Sequence, residues 1–397
     1  MSEIFTFEKI YRAYIACRKT KRKTINALKF EWNFEKNIFL LKNELETRSY
    51  KPGRSICFVV KNPSPREIFA ASFKDRVIHH FLIREIEKIG EKIFIYDTFS
   101  CRKNKGTHSA VERLRKFIKI ASSQTPRNDV FYLQLDISGF FMAINHNILY
   151  KIFEEMILKQ KKSNQWKEEI LWLAKTIIFH KPTENYLVKS QPALFDLIPQ
   201  RKSLFGVAAN KGLPIGNYSS QFFANLYLNK LDQFIKQNIK CRHYARYVDD
   251  FILIFRNKIA FSGLEEKINK FLQKELDLKL NLKKTKFFPL SAGIEFLGYF
   301  IKPKYVLAKQ GVVKRLKNKL FILSKKAEEI KDFRNVLAVL NSYYGHFGHA
   351  YSFNLREAIY EKGLERGVKG KFLPSLDKNG QPDYNKIILN KNVKSRT

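Results

Sequence analysis

Cysteine is scarce. The four present in 397 residues (Cys17, Cys57, Cys101 and Cys241) lie far apart and form no C-x-x-C pair. Neither a disulfide framework nor a thiolate zinc site is expected, and a reducing cytoplasm fits best. No apolar run reaches the ~18 residues a membrane helix needs, so no membrane partner is expected. The opening segment, MSEIFTFEKIYRAY, carries acids and lacks a small-residue cleavage site, which argues against a signal peptide. There is no internal repeat and no low-complexity tract. Negative charge is also in short supply: 37 acids stand against 74 Lys and Arg, a net of +37.

That charge has two readings. One is a lysine-rich genome. The other, which better suits an otherwise globular chain, is a polyanion partner, because each neutralised phosphate releases counterions. Hydrophobic residues make up 45% of the chain, enough for a real core. Aromatics reach 14%, with 35 Phe and 18 Tyr, and supply stacking surface as well as core. The length fits about two or three subdomains with shared cores.

Residues 1–50 follow a helical period interrupted by a basic cluster, Arg18, Lys19, Lys21, Arg22 and Lys23, which is either a solvated face or a phosphate contact. Residues 50–70 carry Pro, Gly and β-branched residues and read as short strands with turns. A helix follows over 72–90, then a strand over 130–137 (VFYLQLDI) that ends in an acid. Residues 161–205 read as a less regular, lysine-rich insertion. A long helix is expected over 218–239, with Phe222, Leu226, Leu231 and Ile235 apolar. HYARYVDDFILIF (243–255) reads as two apolar strands around a tight turn. About three helical segments fill 308–362. The tail, 366–397, holds eight basic and two acidic residues and is expected to wrap a partner or to move.

Two segments carry the chemistry. In LQLDISGFF, Asp136 ends an apolar strand, and in YVDD, Asp249 and Asp250 occupy a hairpin turn. Aspartate is common in turns, so Asp136 alone is weak evidence. Adjacent acids hemmed in by core-type strands repel one another and call for a cation. Three carboxylates from two strand ends suit a two-Mg²⁺ site, with Mn²⁺ a substitute. Hard oxygen ligands are few in such a site because substrate phosphates and water complete the shell.

Together with their surroundings these residues resemble reverse transcriptases over about 50–360. PREIFAASFKDRVIHH and FSCRKNKGTHSA resemble the fingers motifs. LQLDISGFF resembles the first catalytic strand, and GLPIGNYSSQFFANLYLNKLD the loop and helix that hold template and nucleotide. YVDD is the family's tetrapeptide, while NLKKTKFF and IEFLGYFI resemble its lysine motif and primer grip. The resemblance implies an α+β right-hand polymerase with an antiparallel palm sheet. It divides the chain into a helical basic extension (1–50), fingers (51–128), palm (129–160), an insertion (161–207), palm again (208–305), a helical thumb (306–365) and the basic tail (366–397). The implied activity is RNA-directed DNA synthesis with dNTPs, a structured RNA template or noncoding RNA, a primer and a cDNA product, with a small accessory protein or a second copy as further partners. PIGNYSSQ is most similar to diversity-generating retroelement enzymes. Tyr218-Ser219 departs from that family's usual Leu-Thr, and its members are often shorter than 397 residues. The related retron and antiphage-defence enzymes, which use their own noncoding RNA or make untemplated DNA, therefore stay open. No intron-type DNA-binding or nuclease extension, and no RNase H, is evident.

The resemblance makes Asp136 and Asp249 ligands of both metals, with Asp250 more peripheral and the Ile137 carbonyl joining them. Phe141 stands where the family blocks a ribose 2′-hydroxyl, although the adjacent Phe140 means only one ring can face the site. Arg66, assisted by Lys61, is expected on the triphosphate, since a guanidinium fork reads phosphate bidentately. Arg76 is expected to pair with Asp75 or a template phosphate. Lys284 would protonate the leaving pyrophosphate, with Lys283 and Lys286 as competing candidates. Gly212 and Gly216 would let the backbone approach the base pair, on which Ile215 would pack. In the resembled family this apolar choice goes with misincorporation opposite adenine. Gln221 and Asn217 would touch template or cap the helix. Gly298 and Tyr299 fall in the primer grip. His346 and His349, with no third ligand in sequence, read as nucleic-acid-facing or packing residues.

Overall fold

A computed structural model describes residues 2–19, 21–22, 24–61, 64–123, 130–256, 261–325, 333–363, 372–377 and 382–389. In chain order the helices α1 (Phe7–Arg18), α2 (Ile25–Trp32) and α3 (Phe34–Glu46) precede strands β1 (Ser55–Val60) and β2 (Arg66–Ala70). Next come α4 (Phe73–Ile93), α5 (Thr107–Ser123), β3 (Phe131–Asp136), α6 (Phe140–Ala143), α7 (His146–Leu158), α8 (Asn164–Ile178) and β4 (Tyr186–Val188). Then follow α9 (Tyr218–Gln233), β5 (His243–Tyr247), β6 (Asp250–Phe255), α10 (Leu264–Leu276), β7 (Lys286–Pro289), β8 (Ile294–Phe296), β9 (Tyr299–Ile301) and β10 (Val306–Ala308). The chain closes with α11 (Gln310–Lys325), α12 (Arg334–Phe347), α13 (Phe353–Gly363), β11 (Phe372–Leu376) and β12 (Pro382–Leu389). Helices interspersed with small, mostly antiparallel sheets make this an α+β chain.

The backbone groups into two compact units. The first comprises residues 1–104, 134–253 and 261–286. Here α1 packs on α4 through Ile10, Ala13, Tyr14 and Cys17, so the N-terminal helices belong to this core rather than extending from it. Helix α9 is buried nearly all round, with Phe222, Leu226 and Leu231 inside as expected, and Ile235 is buried in the π-turn that follows. β2 and β1 pair antiparallel, and β4 adds to β1 in parallel. β5, β6 and β3 are neighbours in one sheet in that order, which lays the two acid-bearing strand ends side by side.

The reading of 161–205 as irregular is only half right. Its first part is α8, a regular helix capped by Ser163, whose hydroxyl accepts from the Trp166 amide. Trp166, Ile170, Leu173, Ala174 and Ile178 point inward, while Lys167 and Glu168 sit on the outer face. Only the stretch after β4 is a chain of short 3₁₀ turns.

The second unit holds residues 105–133, 254–260 and 287–397. The expected three helical segments are α11, α12 and α13. The tail needs correction. Its described part is the β11/β12 hairpin, and Phe372, Tyr384 and Ile387 enter one core with Leu316, Leu340, Tyr344 and Phe347. Asn341 clamps the hairpin with both ends of its amide, donating to the Ile387 carbonyl at 2.9 Å and accepting from the Ile387 amide at 2.8 Å. The remaining tail residues lie outside the described ones. Among the described residues no helix is long and apolar enough to cross a membrane, and Cys17, Cys57, Cys101 and Cys241 form no disulfide.

Candidate active site

β3 is buried from Tyr132 to Leu135 and emerges at Asp136, and β6 runs apolar straight after Asp250. The acids therefore stand where the sheet ends. The link between β5 and β6 puts Val248 at φ +57°, a left-handed conformation rare for a β-branched residue. Its carbonyl accepts from Arg246 Nη1 at 2.9 Å, which helps hold the strained turn.

A cavity in the first unit is lined by Asp136, Ile137, Phe141, Asp249, Asn281 and Lys284 on one side and by Arg66, Arg201, Lys202 and Ile215 on the other. Lys284 Nζ lies 2.9 and 2.8 Å from the two Asp136 oxygens, and Asn281 Nδ2 donates to Asp136 at 3.2 Å. Lys284, the lysine expected as proton donor, stands here as the partner of Asp136. Asp250 turns toward β3 instead, accepting from Gln134 Nε2 at 3.0 Å. Burial, then the nearby charge of Asp136, pushes the Asp249 carboxyl up to about 6. Burial, with the Asp249 and Asp136 charges added, pushes Asp250 up to about 7 against the Gln134 bond. Among the described residues no three His, Cys, Asp or Glu side chains are grouped to hold a metal, and Lys284 and Gln134 engage two of the acids. The donor set still fits a hard cation: two carboxylates on one cavity wall, with the Asp249 carboxyl raised by burial and by the Asp136 charge and room left for substrate oxygens.

Phe140 is buried, and Phe141 is half-buried against the cavity, packed on the Cys57, Phe69, Met142 and Leu204 cluster. Arg66 opens β2 at the cavity wall. Lys61 is exposed and does not line it. Ile215 does, with its carbonyl accepting from the Phe69 amide. The glycines beside it serve the chain's own packing. Gly216 has φ +120°, and a Cβ there would come within 2.7 Å of Ile68 Cγ2; Gly212 (φ +98°) would meet Leu204 Cδ2 at 2.6 Å. Asn217 occupies the cap position but does not cap: its Oδ1 accepts from the Ala71 amide at 3.1 Å, tying the loop to the end of β2. Gln221 is exposed on α9 away from the cavity lining. Arg76 binds the Ala71 carbonyl, and Asp75 accepts instead from Tyr50, Gly53 and Ser72, so the expected Arg76–Asp75 pair is not formed.

In the second unit, Gly298 (φ +88°) and Tyr299 pack on His346, which stacks on the Tyr299 ring at 4.2 Å between centroids. His349 stacks at 3.5 Å on His108, a neighbour that spacing along the chain could not reveal. Burial and the other imidazoles push the His108 pKa down, which suits packing rather than charge.

Gln134, Asn281, Arg201 and Lys202 were not singled out in the sequence. The last two sit on a 3₁₀ turn, and the Arg201 carbonyl would lie 2.9 Å from a Cβ on Gly139, just after β3. Glu67, the residue after Arg66, anchors that segment by accepting from the Ser203 hydroxyl at 2.9 Å and from the Leu204 amide.

The family model described as reverse transcriptase (RNA-dependent DNA polymerase) matches residues 51–301. Among curated proteins, the chain is similar to protein YkfC of Escherichia coli K12, 23% identical over 294 residues, 66% of this chain and 70% of that one. It is also similar to the retron Ec73 reverse transcriptase of Escherichia coli, 23% identical over 253 residues, 62% of this chain and 67% of that one. Among solved structures, apo telomerase from Candida tropicalis aligns with a TM-score of 0.46 at 13% identity, covering 80% of this chain and 56% of that one. Telomerase from Candida albicans with a telomeric RNA fragment aligns with a TM-score of 0.43 at 13% identity, covering 85% and 65%. The chain thus spans less than two thirds of these telomerase chains. With the family model covering well over half of the sequence and the motif acids gathered at the end of one sheet, the chain belongs to the reverse transcriptase family of RNA-dependent DNA polymerases.

Proposed function

We propose that this protein copies an RNA template into cDNA from dNTPs at the cavity lined by Asp136 and Asp249. The observation that carries the reading is that these two acids share one cavity with Arg66, Phe141 and Ile215. Magnesium held there by Asp136, Asp249, the Ile137 carbonyl and, more peripherally, Asp250 would activate the primer hydroxyl and stabilise the leaving pyrophosphate. Arg66 binds the triphosphate, Lys284 moves from Asp136 to the departing phosphates as proton donor, and Ile215 packs on the nascent pair. In this reading β1, β2 and α4 are fingers, the β5–β6–β3 sheet is palm, and α11 to α13 with the tail hairpin form the thumb around the primer grip at Gly298 and Tyr299. Primer extension on an RNA template with dNTPs and Mg²⁺ tests it. No extension on any RNA template by folded protein rejects it.

Phe141 is the sugar gate in this scheme, so Phe141→Ala is expected to reduce discrimination against ribonucleotides by about tenfold or more. Paired dNTP and rNTP incorporation on one template reads this directly. Unchanged discrimination returns Phe141 to the core cluster it already touches.

Mutagenic diversification is the reading that Ile215 supports. An aliphatic contact gives shape without a directional hydrogen bond, so a mismatch leaves no buried donor unpaired. Ile215→Gln is expected to lower misincorporation about tenfold, an effect of ~1–2 kcal/mol, most of all opposite adenine. Deep sequencing of cDNA from one RNA template decides. The likeness to the retron Ec73 enzyme favours a second reading, in which the protein copies its own noncoding RNA. Equal accuracy opposite all four template bases in the wild type selects that second reading.

A further inference from the structure

Helix α1 has two apolar faces where a surface helix needs one. Ile10, Ala13, Tyr14 and Cys17 are buried. Phe7, Tyr11 and Ile15 form a second stripe at four-residue spacing and are 37%, 40% and 46% exposed. The Tyr11 ring is held in place, stacked on Phe7 at 6.1 Å and set edge-on to Phe34 at 5.9 Å. Beside it runs a groove of about 560 Å³ lined by Tyr11, Arg12, Ile15, Ala16, Arg18, Lys19, Arg22 and Arg84. No acid lines it. Arg12 is neutralised by Glu8 and Arg18 by Glu31. Lys19, Arg22 and Arg84 have no ion-pair partner among the described residues.

An apolar floor with a fixed aromatic ring and cationic walls is complementary to a strand that presents bases on one side and phosphates on the other. A purely apolar protein helix would meet the floor but leave three cations facing it without partners, and a strand of nucleic acid brings one phosphate per nucleotide to them without added acids. A duplex hides its base faces and has no use for Tyr11. We propose that this groove seats an unpaired segment of RNA, with a base on Tyr11 and Ile15 and phosphates on Lys19, Arg22 and Arg84. The seat is separate from the polymerising cavity, none of whose lining residues it shares.

The test is binding of a fluorescent single-stranded 20-mer of RNA, by anisotropy, across a salt series. The triple variant Lys19→Gln, Arg22→Gln, Arg84→Gln is expected to flatten the plot of log affinity against log salt by about two, at ~0.7 for each phosphate of a single strand that is no longer neutralised. Tyr11→Ala is expected to weaken binding about tenfold, and Tyr11→Phe, which keeps the ring, to bind as wild type. A control with equal charge loss elsewhere, Lys159→Gln, Lys161→Gln, Lys162→Gln, is expected to leave affinity within about twofold and the slope nearly unchanged. Extension of a saturating, pre-annealed primer–template should be normal in all of them, which keeps this proposal separate from the catalytic one. If the control loses as much as the groove triple, or if Tyr11→Ala binds as wild type, the groove is not the seat. If the variants keep RNA affinity but lose a copurifying protein, the occupant is a protein and the proposal is wrong.

Discussion

Asp249→Ala is expected to reduce primer extension at least a thousandfold, an effect of about 4 kcal/mol on the barrier, while folding and RNA retention stay nearly intact. The acid ends a hairpin turn outside the apolar run Phe251 to Ile254, so removing its carboxyl opens no cavity in the sheet. What is lost is one of the two carboxylates lining the site. The loss even relieves a repulsion, since the Asp136 charge is the largest influence after burial in raising the Asp249 pKa. The thermal midpoint of the variant should therefore match or slightly exceed that of the wild type. Extension, melting and RNA retention measured side by side decide. Extension within about tenfold of wild type overturns the metal assignment, because a lost ligand should cost several kcal/mol.

Some of this was legible because local pattern and tertiary role coincide. FILIF is a short, β-branched and aromatic run bounded by the acid pair, and it is buried over four consecutive positions as a central strand is. The acids before it could only be at a turn. Helix α9 announced itself in the same way. What stayed hidden depends on partners far along the chain. Lys167, Glu168 and Lys175 made α8 look like a polar insertion, yet they leave its inner stripe of Trp166, Ile170 and Leu173 intact. The tail's core residues, Phe372, Tyr384 and Ile387, are too widely spaced among lysines to show a period. Asn217 read as a helix cap because caps are local, and the Ala71 amide that claims its side chain is 146 residues away. Gln134 looked like one more strand residue until Asp250 was placed beside it. The roles of Arg66, Phe141 and Ile215 follow from the resemblance, and the geometry gathers the three in one cavity with Asp136 and Asp249.

Asp232→Ala is expected to destabilise the protein by about 3–5 kcal/mol, because it leaves a buried guanidinium without its counter-charge. Asp232 and Arg246 are 0% and 1% exposed in their side chains and meet in a two-pronged pair at 2.7 and 2.6 Å. Tyr244 donates its hydroxyl to the same carboxylate at 2.6 Å. The remaining guanidinium nitrogen donates to Asn225 at 3.2 Å and to the Val248 carbonyl at 2.9 Å, and Asn225 in turn donates to the Ser100 carbonyl. The network therefore joins α9 to β5 and reaches the residue before Asp249. That gives it two separable effects, on stability and on the position of the acid turn. Replacing both partners with apolar residues of similar size, Asp232→Leu with Arg246→Met, should recover most of the lost stability, since no charge is then buried alone. It should not recover activity, because Val248, at φ +57°, has lost the donor that holds its carbonyl. Denaturant melts of the single and double variants, read beside kcat on one primer–template, separate the effects. A double variant restored in stability and in kcat together would show that the pair serves packing alone and that the turn holds its strained shape without Arg246.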